Sequence, residues 1–173
     1  MDVLAHPNPA LAQDAAEVDP AADETLRDLA RRMARVMYQF SGIGLAATQI
    51  GVLKRVIVYD LSDDGSGLVA LCNPAIVERS GECEIDDEGC LSVPGISVAI
   101  ERACEVTCEA LSLDGTKVTI EADGLLARLL QHEIDHLNGM LIIDRVEGQD
   151  RKDALRRYRE AVDAGALPGE TSI

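Results

Sequence analysis

The 173-residue sequence contains no tryptophan, one phenylalanine and three tyrosines. With so few rings its core must be aliphatic, and it has no aromatic platform on which single-stranded bases could stack. Positive charge is scarce too: 16 Lys and Arg stand against 31 Asp and Glu, a net charge of −15. Such a surface repels phosphate backbones, which excludes DNA as a partner and argues against general nucleic-acid binding. No run approaches the roughly 18 apolar residues of a membrane-spanning helix. The start of the chain lacks the basic-then-apolar pattern of an export signal, so no membrane partner and a cytoplasmic location are expected. Five cysteines, an odd number, fit that reducing setting as thiols rather than a disulfide framework. Internal repeats, low-complexity tracts and internal linkers are also missing. This length, with an apolar fraction of 47%, predicts one domain over 1–173 with a packed core.

Residues 1–22, with Pro7, Pro9 and Pro20, read as an extended N-terminal arm that must lie against the body to be ordered. From Glu24 to Phe40, Leu26, Leu29, Met33, Val36, Met37 and Phe40 follow helical spacing, with Asp23 as N-cap. Beyond the glycine-punctuated Ser41–Gly51, five stretches rich in β-branched residues read as strands: Arg55–Leu61, Leu68–Asn73, Ser97–Ala103, Glu105–Leu111 and Lys117–Ala122. Asp114-Gly115 marks a hairpin turn between the last two. Asp123 is expected to cap a second helix, Gly124–Asn138, ended by Gly139. A third helix over roughly Asp150–Ala164 precedes a Pro/Gly tail, so 150–173 is a C-terminal helix and tail. Helices bracketing hairpin-linked strands predict an α+β fold rather than βαβ winding.

Residues 132–136 read His-Glu-Ile-Asp-His on the second helix. Four residues advance a helix about 40° past a full turn, so both imidazoles leave one face as a pre-ordered pair of metal ligands. Glu133 then sits to one side, able to reach a water on the metal without ligating it. With three histidines in the chain, chance produces HExxH in roughly half a per cent of sequences of this composition. Leu125, Leu126, Leu129 and Leu130 precede the motif, so the histidines extend a buried face.

A catalytic site needs a third protein ligand and an open position. A metzincin would place a third histidine at 142, which is Ile142. The ligand is therefore a thiolate, a carboxylate or the distant His6 in the arm. Cys90 is a candidate because Glu-Gly-Cys-Leu-Ser (88–92) is an irregular polar segment where a structural cysteine is less expected. Cys104 and Cys108 read as sharing one face of a strand, Cys72 ends an apolar strand, and Cys83 stays undecided. The third segment, Gly42-Ile-Gly-Leu-Ala-Ala-Thr-Gln49, is no nucleotide loop, since it lacks the third glycine and the lysine. Its Gln49 offers a neutral amide donor among residues too small to crowd a substrate.

In order, GIGLAATQ, EGCLS and QHEIDH resemble the peptide deformylases of the compact bacterial type, over about Val3–Val146. These enzymes remove the N-formyl group from nascent polypeptides. The resemblance implies small antiparallel sheets packed around a central HExxH helix, with N-terminal and C-terminal helices. It implies that Cys90, His132 and His136 hold one Fe²⁺, for which Zn²⁺, Ni²⁺ or Co²⁺ can substitute. Metal-bound hydroxide would attack the formyl carbonyl, with Glu133 as general base and then acid. The Gln49 amide and the Leu91 backbone N–H would donate to the oxyanion. Backbone groups around Ile43, Gly44 and Gly89 would pair with an extended N-formyl-Met peptide, and Leu125, Leu129 and Ile43 would line a pocket for its first side chain. Thr48 stands where the family often has Pro, a change expected to matter little.

Two rivals remain open at this level. One is a zinc peptidase with a downstream carboxylate such as Glu147 as third ligand; the other is an inactive metal-binding or interaction module. Arg145–Arg159 adds a partner question, with six basic residues against three acidic ones. It reads either as a solvated helix face or, with Leu155, Tyr158 and Val162 as anchors, as a cationic stripe. Some deformylases use such a basic C-terminal helix on the ribosome, which implies a transient contact there.

Overall fold

The computed structural model describes residues 3–173. In chain order its elements are α1 (Leu26–Gln39), β1 (Gly44–Ala46), β2 (Val56–Tyr59), β3 (Val69–Arg79), β4 (Cys83–Glu88), β5 (Val98–Ala103), β6 (Glu105–Leu111), β7 (Lys117–Asp123), α2 (Gly124–Leu137) and α3 (Gly148–Asp163). Short 3₁₀ turns occupy Pro9–Ala12, Ala47–Ile50 and Ile142–Asp144. Five strands form one antiparallel sheet in the order β1-β2-β3-β6-β7, and β4-β5 is a separate antiparallel hairpin inserted between β3 and β6. The α+β class with small antiparallel sheets is as expected. Among the described residues no helix is long and apolar enough to cross a membrane.

Helix α2 is the centre of this arrangement. It packs against β1, β2, β3, β5, β6 and β7, and every residue from Ala127 to Leu137 is buried. A helix covered all round needs partners for its polar side chains, and it carries Arg128, Gln131, His132, Glu133, Asp135 and His136 in that buried stretch. Its apolar residues Ala127, Leu129, Leu130 and Leu137 join Ile57, Leu71, Val106 and Cys108 of the sheet in one cluster. Helix α1 covers β1 and β2 through Leu26, Leu29, Met33, Val36 and Met37. A third cluster joins Cys90, Val93 and Ile96 to Ile142 and to Tyr158 of α3.

The arm is tied down by backbone hydrogen bonds. Leu4 N–H donates to Gln49 O at 2.8 Å, His6 N–H to Ser92 O at 2.9 Å and Ala15 N–H to Leu137 O at 2.8 Å. It therefore straps together the ends of the three motif segments.

Several expectations need correction. Helix α1 starts at Leu26 with Thr25 in the N-cap position; Asp23 lies two residues earlier, where one carboxylate oxygen accepts from the Thr25 N–H at 3.0 Å and the other from Lys54 Nζ at 2.5 Å. Asp123 is the N-cap residue of α2 as expected, but its side chain makes no capping bond; β7 runs straight into α2. Cys104 is not on the strand of Cys108 but in the link between β5 and β6, where its N–H donates to Glu82 O. Strand β3 continues past Cys72 to Arg79 through Pro74, with register shifts against β6. Strand β4 was not expected; it is acidic and exposed except for Glu88, and its ladder with β5 holds it. Val162 is 43% exposed and anchors nothing, whereas Ala154 and Tyr158 are the buried residues of α3.

Candidate metal centre

The end of β4 runs into Gly89-Cys90-Leu91, which brings Cys90 against the last two turns of α2. His132 and His136 leave one face of that helix, and their Nε2 atoms approach to 3.1 Å. Cys90 Sγ lies 3.4 Å from His136 Nε2. All three ligand atoms fall within 4.8 Å of one another, and all three residues are buried. Two ligand atoms bound to one small ion at a tetrahedral angle sit roughly 3.3–3.6 Å apart, and the His132–His136 and Cys90–His136 separations lie close to that range, so this donor set suits a divalent ion. It is the one such group among the described residues. His6 instead packs edge-on against Tyr158, ring centroids 5.5 Å apart. Glu147 is exposed at the start of α3. Both alternatives for the third ligand fall away.

Burial sets the electrostatics. It opposes charge on His132, but the Cys90 sulfur and the Glu88 carboxylate beside it push the imidazole up to about 10. Burial and the charged His132 then drive His136 well below the ordinary imidazole range. Burial pushes Glu133 up to about 7, against the pull of His132. Its Oε2 is buried without a hydrogen-bond partner among the described residues, which marks a place for a water or a substrate proton.

Glu133 also explains a glycine. A Cβ at Gly44 would collide with Glu133 Oε1, so only glycine lets this β1 residue pass the carboxylate. Gly89 is equally constrained, since a Cβ there would collide with the backbone of Ser172. Gln49 is buried, with Oε1 accepting from the Ala46 N–H at 2.9 Å, which fixes the amide's orientation. Its Nε2 faces Ser92 Oγ at 3.1 Å and Cys90 Sγ at 3.8 Å, so its donor side is turned to the metal ligands. Leu91 is buried, and among the described residues nothing accepts its N–H. Ile43 packs half-buried against the α2 cluster. Leu125 is 54% exposed, but Leu129 has no exposed surface and so offers none to a ligand in this conformation.

The residues that hold these ligands in place were not singled out from the sequence. Glu88 has a fully buried side chain and accepts from Arg102 Nε (2.8 Å), Arg102 Nη2 (2.9 Å) and Arg128 Nη1 (2.8 Å). Its Oε2 also faces His132 Nδ1 at 2.8 Å, which fixes the ring so that Nε2 points at the cluster. Arg102 continues to Asp135 at 2.6 Å, and Asp135 also binds Arg145. Burial alone would raise the Glu88 pKa; the Arg102 guanidinium and His132 hold it well below the carboxylate range instead. Thr48, expected to matter little, donates its hydroxyl to His136 O at 3.2 Å and ties the 47–50 turn to α2. Glu88 and Asp135 were visible as letters of EGCLS and HEIDH; Arg102 and Arg128 lie outside both motifs.

The family model for polypeptide deformylase matches residues 1–152. A peptide deformylase of Acetivibrio thermocellus is 49% identical over 138 residues, 80% of this chain and 79% of that one. One from Carboxydothermus hydrogenoformans is 52% identical over 124 residues, 72% and 79% of the two chains. Among solved structures, a peptide deformylase of Legionella pneumophila superposes with a TM-score of 0.87 at 39% identity, covering 94% of this chain and 95% of that one.

The Glu88 network makes a measurable claim. Glu88→Gln keeps the shape but leaves Arg128 buried without a countercharge and Arg102 with Asp135 alone, a loss on the order of 3–5 kcal/mol. It also loosens the His132 ring, so metal affinity should fall by roughly 10–100-fold. Urea unfolding and competition with a chelator read the two effects, with exposed Asp87→Asn as control. Unchanged metal retention in Glu88→Gln would remove Glu88 from the role assigned to it.

Proposed function

This chain belongs to the polypeptide deformylase family, and from that membership we propose that Cys90, His132 and His136 hold one ion with which it deformylates nascent polypeptides. The observation that carries the reading is the convergence of those three ligand atoms beside a buried carboxylate, Glu133, with an unpartnered oxygen. When bound, the ion acidifies a water and polarises the formyl carbonyl. Glu133 takes the attacking water's proton and hands it to the leaving amine, the task for which a carboxylate raised above its ordinary range is suited. The Gln49 amide, held by Ala46, and the Leu91 N–H donate to the oxygen of the carbonyl as charge develops on it, typically a few kcal/mol for each donor. The peptide lies between two walls that carry no side chain at Gly44 and Gly89, so its backbone can pair with theirs. Ile43 and Leu125 line the pocket for an apolar first side chain such as methionine, with Leu129 beneath it. A Cβ at Gly44 would already meet the Glu133 carboxylate, so the space there suits a small acyl group such as formyl.

Release of formate from formyl-Met-Ala, measured alongside metal content, tests the activity. Glu133→Gln should retain the ion and lose activity by about 10² or more. A base must be ionised to work, so wild-type kcat/KM should rise with pH between the ordinary glutamate value of 4.5 and about 7, the bound cation setting where in that window. The variant should show no such limb. Near-normal turnover by Glu133→Gln would sink its role.

The ion proposed is Fe²⁺. It sits low in the affinity order, so Zn²⁺ or Ni²⁺ should displace it in aerobic purification, and the Fe²⁺ form should be the faster and the air-sensitive one. Equal rates for air-stable, metal-matched preparations would contradict this.

The cytoplasm is the proposed location, and a transient ribosome contact through α3 the proposed partner. Lys152, Arg156, Arg157 and Arg159 are exposed on that helix, although Arg156 is shared with Asp153 and Glu160, and Arg151 with Asp144. Pelleting with ribosomes should be stronger at low salt and lost in an Arg156/Arg157/Arg159→Glu variant. Equal pelleting of both proteins would leave α3 a solvated surface.

A further inference from the structure

After α3 the chain turns back over the metal centre. Ala166 N–H donates to Ala161 O at 2.9 Å, closing the helix. Gly169 N–H then donates to Leu91 O at 2.9 Å, with its α-carbon packed so closely on the Phe40 ring that a Cβ would collide. Thr171 Oγ1 lies 3.2 Å from the carbonyls of both Cys90 and Val93. The Ser172 backbone fills the space where a side chain at Gly89 would stand. Ile173 packs, half-buried, on the apolar cluster that contains Leu129 and receives Ile43.

The segment Gly-Glu-Thr-Ser-Ile therefore runs along the EGCLS wall from Leu91 to Gly89. It brings one aliphatic side chain to the cluster that the substrate's first residue is to use. We propose that residues 169–173 occupy the substrate groove and compete with the formylated peptide from within the chain. This rests on the groove assignment made above, at Gly89, Ile43 and Leu129. Two further observations support it. Leu129 has no exposed surface although it belongs to the pocket cluster, as expected of a pocket whose floor is covered. Gly89 is flanked by another piece of backbone, the approach that an added peptide strand requires.

A tethered competitor acts at a high effective concentration, yet this one is short, mostly polar and held by few hydrogen bonds, so a peptide can displace it. Apparent affinity then falls with the fraction of molecules whose groove is open, while chemistry after binding is untouched. The signature is a KM effect without a kcat effect.

The test compares the full chain, a chain ending at Pro168, and full-length Ile173→Asp, which removes the apolar anchor without shortening the protein. KM for formyl-Met-Ala-Ser, and Kd for the unformylated Met-Ala-Ser peptide, should each fall by about fivefold or more in both variants, with kcat unchanged. In the full chain, saturating Met-Ala-Ser should speed hydrogen exchange at the Gly169 amide. Turnover by all three proteins at equal KM and Kd, or Gly169 protection unaltered by bound peptide, overturns this inference alone. Absence of turnover and of peptide binding in all three overturns the groove assignment beneath it.

Discussion

A carboxylate with no exposed surface, Glu88, joins the two segments that meet at the metal centre. Burying a charge in a domain this small is costly unless every oxygen lone pair is used, and here two guanidinium groups and an imidazole use them. The consequence is positional. Arg102 comes from β5, Arg128 and His132 from α2, and Glu88 from the last residue of β4. Their meeting sets how far along α2 the exit of β4 lies, and Cys90, two residues later, arrives within reach of His136. A hydrophobic contact could hold the hairpin on the helix, but it would tolerate sliding; a buried, bidentate ion pair does not.

The same network connects the chemistry to the periphery. Arg102 hands its second face to Asp135, which sits between the two histidines in sequence and points away from them to Arg145 beyond the helix. Each histidine thus has a carboxylate neighbour on α2 or β4 that is already committed to an arginine. Glu133 alone among the acids of the HExxH turn has no guanidinium partner and keeps an unpartnered oxygen. That difference, not the residue type, separates a carboxylate available for proton transfer from two that are structural.

What was legible in the sequence follows from range. Helix α2, the i,i+4 histidines, the β6–β7 hairpin with its Asp114-Gly115 turn, and the α+β class are all local patterns of period 3.6 or 2, and they stand as read. Strand β4 was illegible because Cys-Glu-Ile-Asp-Asp-Glu has the composition of a loop and becomes a strand only through its ladder with β5. The start of α1 was missed by two residues, and Asp23, read as its cap, is drawn into a tertiary pair with Lys54. The Glu88 network was invisible for a deeper reason. In a chain with 31 acidic residues, nothing local distinguishes Glu88 from the exposed acids of its own strand, and Arg102 and Arg128 look like any surface arginine until β5 and α2 are brought together.

The groove illustrates how missing side chains can specify more than present ones. Gly44 yields its space to Glu133, and Gly89 yields its space to another backbone. The first keeps a buried carboxylate beside Cys90, His132 and His136, where a side chain would push it out; the second leaves a strip of main chain that another backbone can approach closely. Each vacancy is thus matched to one neighbour, a carboxylate oxygen at Gly44 and a strip of backbone at Gly89. The apolar cluster of α2 beside them offers a polar group no such match, because Ile43, Leu129 and Leu130 contribute only carbon, and a polar side chain packed among them would lose its hydrogen bonds to water and find none.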